Sequence, residues 1–148
     1  MVLLSKILVL YYSQSGNTEK MANAVAEGAK SIVTSDVELN YHVEADELVN
    51  FDAIILGAQT YHHDMPIDMK KLFETSATNG INFKGKVGAT FGSFGWSGEA
   101  PKLLLEIMKN KFEMKVITPS LLAKYVPDKI ALDNCQGLGR TVAETLIP

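Results

Sequence analysis

Apolar residues follow two rhythms along this chain. Residues 6–12 (KILVLYY), 53–58 (AIILGA) and 86–93 (KVGATFGS) are short runs without clean polar alternation. Such runs read as strands buried on both faces. Residues 37–43 fit a further strand. A fifth begins near Met114, breaks at Pro119 and resumes over 121–126. Between these runs, apolar residues recur three and four apart, the helical period. Residues 18–32 place Met21, Ala22, Val25, Ala29 and Ile32 on one face. Residues 99–111 do the same with Leu103, Leu104, Ile107 and Met108. Pro66 opens a helix through Met69, Leu72 and Phe73, as proline suits a first turn. A short acidic helical turn is predicted over 45–49, and a last helix from Pro127-Asp128 to Leu146. Asn79-Gly80 and Lys84-Gly85 mark turns.

Strands alternating with helices predict a doubly wound α/β domain over 1–148, with a five-stranded parallel sheet and helices on both faces. At this length the expected strand order is 2-1-3-4-5. Ligands then bind beyond the carboxyl ends of the strands, at the switch point beside strand 1. The loops to inspect are 13–18, 58–66 and 93–99.

Composition narrows the classes. With 148 residues, 47% of them apolar, the chain can bury one core. The net charge of −3 argues against nucleic acid as partner. Cys135 is the only cysteine, which removes an intrachain disulfide or a CxxC redox pair and fits a reducing cytoplasm. The start, MVLLSKILVLYYS, lacks a basic leader region and a small-residue cleavage site. No run reaches the roughly 18 apolar residues of a membrane span. A soluble cytoplasmic protein is expected.

Loop 13–18 reads Ser13-Gln14-Ser15-Gly16-Asn17-Thr18, between a strand and a helix start. Backbone N–H groups at such an end, with the helix dipole, favour an anion. Gly16 lets successive amides curl inward, and the hydroxyls of Ser13, Ser15 and Thr18 and the amide of Asn17 can donate to phosphate oxygens. No Lys or Arg lies in the loop, and no Walker pattern is present. The plain alternative is a helix capped by Asn17 or Thr18.

Loop 58–66 offers Tyr61 or His62 to stack on a planar ligand and Gln59 and Thr60 to hydrogen-bond its edge. His62, His63 and Asp64 are metal-ligand types, but adjacent loop residues point apart and no third-ligand spacing supports a site. The plain alternative is a connecting loop. Loop 91–99, FGSFGWSGE, gathers Ser93, Phe94, Gly95, Trp96 and Gly98 at a strand's end. Its glycines permit close approach to a flat ligand, and Trp96 offers a broad apolar face. Alternatively Phe94 and Trp96 fill core. A phosphate loop beside two aromatic loops describes a mononucleotide site, with flavin mononucleotide (FMN) the best fit.

Ser13 to Thr18, S-Q-S-G-N-T, resembles the flavodoxin phosphate signature [TS]-x-[TS]-G-x-T at every fixed position. F-G-S-F-G-W-S-G, from Phe91 to Gly98, is similar to the third flavin loop in the C-terminal flavodoxin-like domain of flavodiiron proteins. A-Q-T-Y, from Ala58 to Tyr61, resembles their S-P-T-x loop, with Gln59 in place of proline. The resemblance covers nearly the whole chain. It implies that residues 13–18 hold the phosphate, and that 59–62 and 93–98 flank the isoalloxazine with Trp96 against or beside it. No diiron domain is expected ahead of these residues, so oxygen or nitric oxide reduction is not carried over. Ordinary flavodoxins also have an acidic third loop with G-D, which is missing here.

The expected function is electron shuttling between redox proteins, as a monomer or weak homodimer. The alternatives are an NAD(P)H- or quinone-linked flavin reductase and a flavin-free interaction domain. A signalling receiver is rejected, because Tyr12-Ser13 and Gly57-Ala58 stand where its acidic residues belong. Residues 59–65 contain no glycine. A positive φ there is costly, so one-electron-reduced flavin should be less stable than in flavodoxins with glycine at that turn. Glu44, Asp46, Glu47 and Asp52 read as a solvated surface, Cys135 as packing, and His42 as a strand residue without a role.

Overall fold

The computed structural model describes residues 4–13, 16–60, 64–95 and 97–148. The elements run β1 (Ser5–Tyr12), α1 (Asn17–Lys30), β2 (Ser35–Asn40), a 3-10 helix (Ala45–Asn50), β3 (Ala53–Ala58), α2 (Ile67–Thr78), β4 (Val87–Phe94), α3 (Glu99–Asn110), β5 (Lys115–Val116), β6 (Leu121–Lys124) and α4 (Lys129–Thr145). The sheet is parallel in the order β2-β1-β3-β4-β5, with β6 also paired to β4. This is the flavodoxin-like order expected from the sequence. The fifth position is two short strands, Lys115–Val116 and Leu121–Lys124, with the expected break at Pro119. Pro119 lies between them and has no N–H to give a ladder. Ser120 holds the interruption to the sheet instead, its hydroxyl 2.8 Å from that of Thr90 in β4.

The unbroken apolar runs serve two cores at once. Successive residues of a strand point to opposite faces. Ile7, Val9 and Ile55 therefore pack with Met21, Val25 and Val142 on the side of α1 and α4. Leu8, Leu10, Ile54 and Leu56 pack with Met69, Leu104 and Met108 on the other. Complete burial of each such side chain stabilises by about 1.5–3 kcal/mol. Leu105 joins this second core, while Leu103 and Ile107, expected inward, are only partly buried against it.

β2 differs most from expectation. It begins at Ser35 and ends at Asn40, where residues 37–43 were expected. Its alternating burial is that of an edge strand with β1 as its neighbour. Asn40 ends it by turning its side-chain oxygen to the N–H groups of Tyr41 and His42, at 2.8 and 3.2 Å. His42 thus lies beyond the strand, exposed, with Nε2 3.0 Å from Glu44. The acidic residues nearby are exposed but structurally used. Glu44 and Glu47 close a capping box on the 3-10 helix. Asp52 accepts the N–H of Lys6 at 2.9 Å, and Asp46 accepts from Asn79 at 3.1 Å.

On the other face α1 and α4 cross backbone to backbone. A Cβ on Gly28 would lie 1.9 Å from the Gln136 carbonyl oxygen, and one on Gly139 1.9 Å from that of Val25. Cys135 is fully buried beside this crossing, and burial pushes its thiol up to about 12. That fits packing, not reactivity. Among the described residues no helix is long and apolar enough to cross a membrane.

Candidate functional site

The three loops converge. β1, β3 and β4 are neighbours, with Tyr12 opposite Ala58 and Gly57 opposite Phe91. The loops leaving their carboxyl ends therefore meet on one sheet edge. Gln14, Ser15, Tyr61, His62 and Trp96, all expected in the site, lie outside the described residues, as does His63. Ser13, Gly16, Asn17, Thr18, Gln59, Thr60, Ser93, Phe94, Gly95 and Gly98 are all on this edge.

The first loop ends in a helix started by glycine. Gly16, not Asn17 or Thr18, holds the N-cap position of α1 and has no side chain with which to cap it. Its φ of 86° is the left-handed conformation that glycine reaches most easily. Gly16's own N–H donates to Ser13 Oγ at 3.0 Å. The helix start thus turns the positive end of its dipole to the loop. Beside it, the Tyr11 hydroxyl donates to Glu19 at 3.0 Å, tying β1 to the first turn of α1. Burial first, then the Glu19 carboxylate, raises the Tyr11 phenol above its ordinary value.

Thr18 is 0% exposed, and its hydroxyl serves β4. The Ser93 N–H donates to Thr18 Oγ1 at 3.2 Å, and the two hydroxyl oxygens are 3.3 Å apart. Accepting from a backbone N–H leaves the Thr18 proton available to an acceptor. Thr60, expected at a ligand's edge, accepts the N–H of Ala100 at 3.0 Å. It therefore closes the first turn of α3 from another loop.

The second loop ends in a charge pair. Asp64 accepts the Met65 N–H at 2.8 Å and binds the Lys70 ammonium. The Lys70 hydrogen bond, then that of Met65, holds the Asp64 carboxyl below its ordinary value. Among the described residues no acidic, histidine or cysteine cluster could hold a metal.

The glycines of the third loop have several reasons. A Cβ on Gly92 would meet the Ala58 carbonyl oxygen at 2.0 Å, and one on Gly98 would meet Leu122 at 3.0 Å. These two fit against the protein itself. Phe91 is core, its ring beneath Gly57, where a Cβ would lie 2.3 Å away. Phe94 is half-buried at the loop's start. Tyr125 was missed from sequence. Its N–H donates to the Phe94 carbonyl at 2.7 Å, its ring flanks Gly95, and its φ is 58°. The one signal available was its place after the fifth strand, just before Pro127.

A helix start, a left-handed glycine and neutral hydroxyls fit a phosphate monoester. The matched family agrees. The flavodoxin profile matches residues 9–136, and the chain belongs to that family. A flavodoxin from the domain Archaea is 39% identical and superposes with a TM-score of 0.87 over 95% of this chain and 97% of that one. Oxidised Flavodoxin 1 from Bacillus cereus is 28% identical, with a TM-score of 0.87 over 97% and 100%. The type A flavoprotein fprA of Rhodobacter capsulatus is 32% identical across 95% of this chain but 33% of its own length. The flavo-diiron protein FprA2 of Clostridium acetobutylicum is 31% identical, across 95% and 36%. The chain spans about a third of these two curated relatives. Family membership makes FMN the cofactor and supports a flavin-binding, electron-transfer role.

Proposed function

We propose that residues 1–148 form one FMN-binding domain that shuttles electrons between redox proteins in the cytoplasm, as a monomer or weak homodimer. The carrying observation is the meeting of three loops at the ends of β1, β3 and β4, with a glycine-started helix among them. Residues 13–18 would hold the phosphate through backbone N–H groups and the hydroxyls of Ser13, Ser15 and Thr18. Gln59 to His62 and Ser93 to Gly98 would flank the ring, with Trp96 against or beside it. FMN supplies one- and two-electron chemistry, and the protein binds it and tunes its potentials. The chain's own residues exclude water from the ring and set which polar groups face its edge.

The test is direct. The chain is mixed with FMN, freed of excess, and titrated with dithionite while its visible spectrum is recorded. A retained yellow flavin with shifted bands is expected, with little one-electron-reduced blue species, because residues 59–65 lack glycine. A near-complete blue intermediate would refute the turn argument while leaving the binding site. No retained FMN, riboflavin or FAD would end the carrier reading. Rapid turnover of NAD(P)H with a quinone would replace it with a flavin reductase.

A further inference from the structure

The third loop is tied at each end by a threonine from a different loop, and between them the Tyr125 N–H holds the Phe94 carbonyl at 2.7 Å. At its near end the β3–β4 ladder stops at the Gly57–Phe91 pair. Past that point the Ser93 N–H turns to the Thr18 hydroxyl at 3.2 Å. At its far end α3 begins at Gly98, with φ −117° and ψ 37° and no side-chain cap of its own. The N–H of Ala100, a fully buried residue, is taken by Thr60 Oγ1 at 3.0 Å. Thr60 stands two residues past the end of β3 and forty before Ala100 in sequence.

We infer that Thr60 is a positioning residue for the flavin ring: by accepting the Ala100 N–H it fixes the far end of loop 93–98 and sets that loop's ring-binding conformation before flavin arrives. The inference rests on the FMN reading of the three loops. A loop held in its bound geometry loses less conformational freedom on binding, so its affinity is higher. Removing the acceptor leaves a buried donor unpaired, and the start of α3 must shift to reach water. The effect belongs to the ring alone. Among the described residues Thr60 makes no hydrogen bond to loop 13–18, whereas Thr18 lies within that loop and would disturb both parts of the cofactor. Thr60 therefore separates ring affinity from phosphate affinity.

Two measurements on Thr60→Val test this, with Thr60→Ser as the rescue. Dissociation constants are measured for FMN, riboflavin and inorganic phosphate, and amide hydrogen exchange at Ala100 is followed in the flavin-free chain. Thr60→Val should weaken FMN and riboflavin by the same factor, roughly five- to tenfold, the usual effect of one lost hydrogen bond. Inorganic phosphate should bind as in the parent. Exchange at Ala100 should quicken without flavin, and Thr60→Ser should restore both. Faster exchange with unchanged flavin affinity overturns the coupling. Weaker flavin binding with unchanged exchange means Thr60 touches the ring directly, and also overturns it. If Thr60→Val does not fold, Thr60→Ala carries the same comparison. A parent chain that binds phosphate but no flavin would overturn the FMN reading itself, an outcome distinct from either failure.

Discussion

The α1–α4 crossing and the carboxyl edge of the sheet both depend on glycine, for opposite reasons. At the crossing, Gly28 and Gly139 are squeezed: a Cβ on either would lie 1.9 Å from a carbonyl oxygen of the facing helix. At the edge, Gly16 has nothing within 4 Å of where its Cβ would stand, and its constraint is a φ of 86°. The first pair is selected by what already fills the space. Gly16 is selected by the path of the chain around space left open. Packing glycines and binding glycines are thus distinguished by what surrounds them, and substitutions should separate them.

The largest effect is expected at the crossing. Gly139→Ala forces a methyl group against the Val25 carbonyl, and backbone cannot swing aside as a side chain can. Overpacking of this kind costs about 1–3 kcal/mol and occasionally more. A loss of about 3 kcal/mol is expected here, read as a lower urea midpoint for the flavin-free chain. FMN affinity of the folded fraction should change little. A loss below about 0.5 kcal/mol would show that the two helices part freely and that the contact is not tight.

Gly16→Ala should do the reverse. No atom blocks the added methyl group. Alanine must still adopt a left-handed φ, at about 1–2 kcal/mol. In the flavin-free chain the loop can relax and hide part of that cost. With FMN bound it cannot, so FMN affinity should fall about tenfold, measured by fluorescence titration. A stability loss equal to that of Gly139→Ala, with FMN affinity intact, would erase the distinction between the two regions.

The same contrast explains which features were legible in the sequence. Residues 53–58 were read correctly to the residue because a strand buried on both faces writes one apolar run. The start of α1 was legible to within a residue, Asn17 against an expected Thr18, because a glycine and a polar run directly precede its apolar period. β2 was misplaced because Asp36 and Glu38 alternate outward and none of its residues is buried, and Asn40 ends it through its own side chain. The partners of Gly28, Thr18 and Thr60 were not legible. Gly28 meets Gln136, Thr18 meets Ser93 and Thr60 meets Ala100, and each pairing exists only after the sheet has brought distant segments together. The polar groups at the site could be nominated from residue type. Two of those nominated hydroxyls turned out to bind neighbouring loops. The Thr18 oxygen is occupied as an acceptor by Ser93, and that of Thr60 by Ala100.

The smallest effect is expected where the second loop ends, at a tie made by charge instead of packing. Asp64 and Lys70 have side chains 41% and 43% exposed, so solvent screens their attraction. The Asp64 carboxyl is held below its ordinary value by Lys70 and by the Met65 N–H. A carboxyl lowered in the folded state stabilises it above the unfolded pKa, near 4. That stabilisation disappears as pH falls through the lowered folded value. Asp64→Asn should therefore cost about 0.5 kcal/mol or less at pH 7, and nothing once both carboxyl forms are protonated. The measurement is the urea midpoint of parent and variant from pH 7 down to pH 3. The two curves should converge toward the acid end, and 1 M salt should narrow the gap at pH 7. A gap that persists unchanged in acid would assign the role of Asp64 to its shape and its hydrogen bond from Met65, not to its charge.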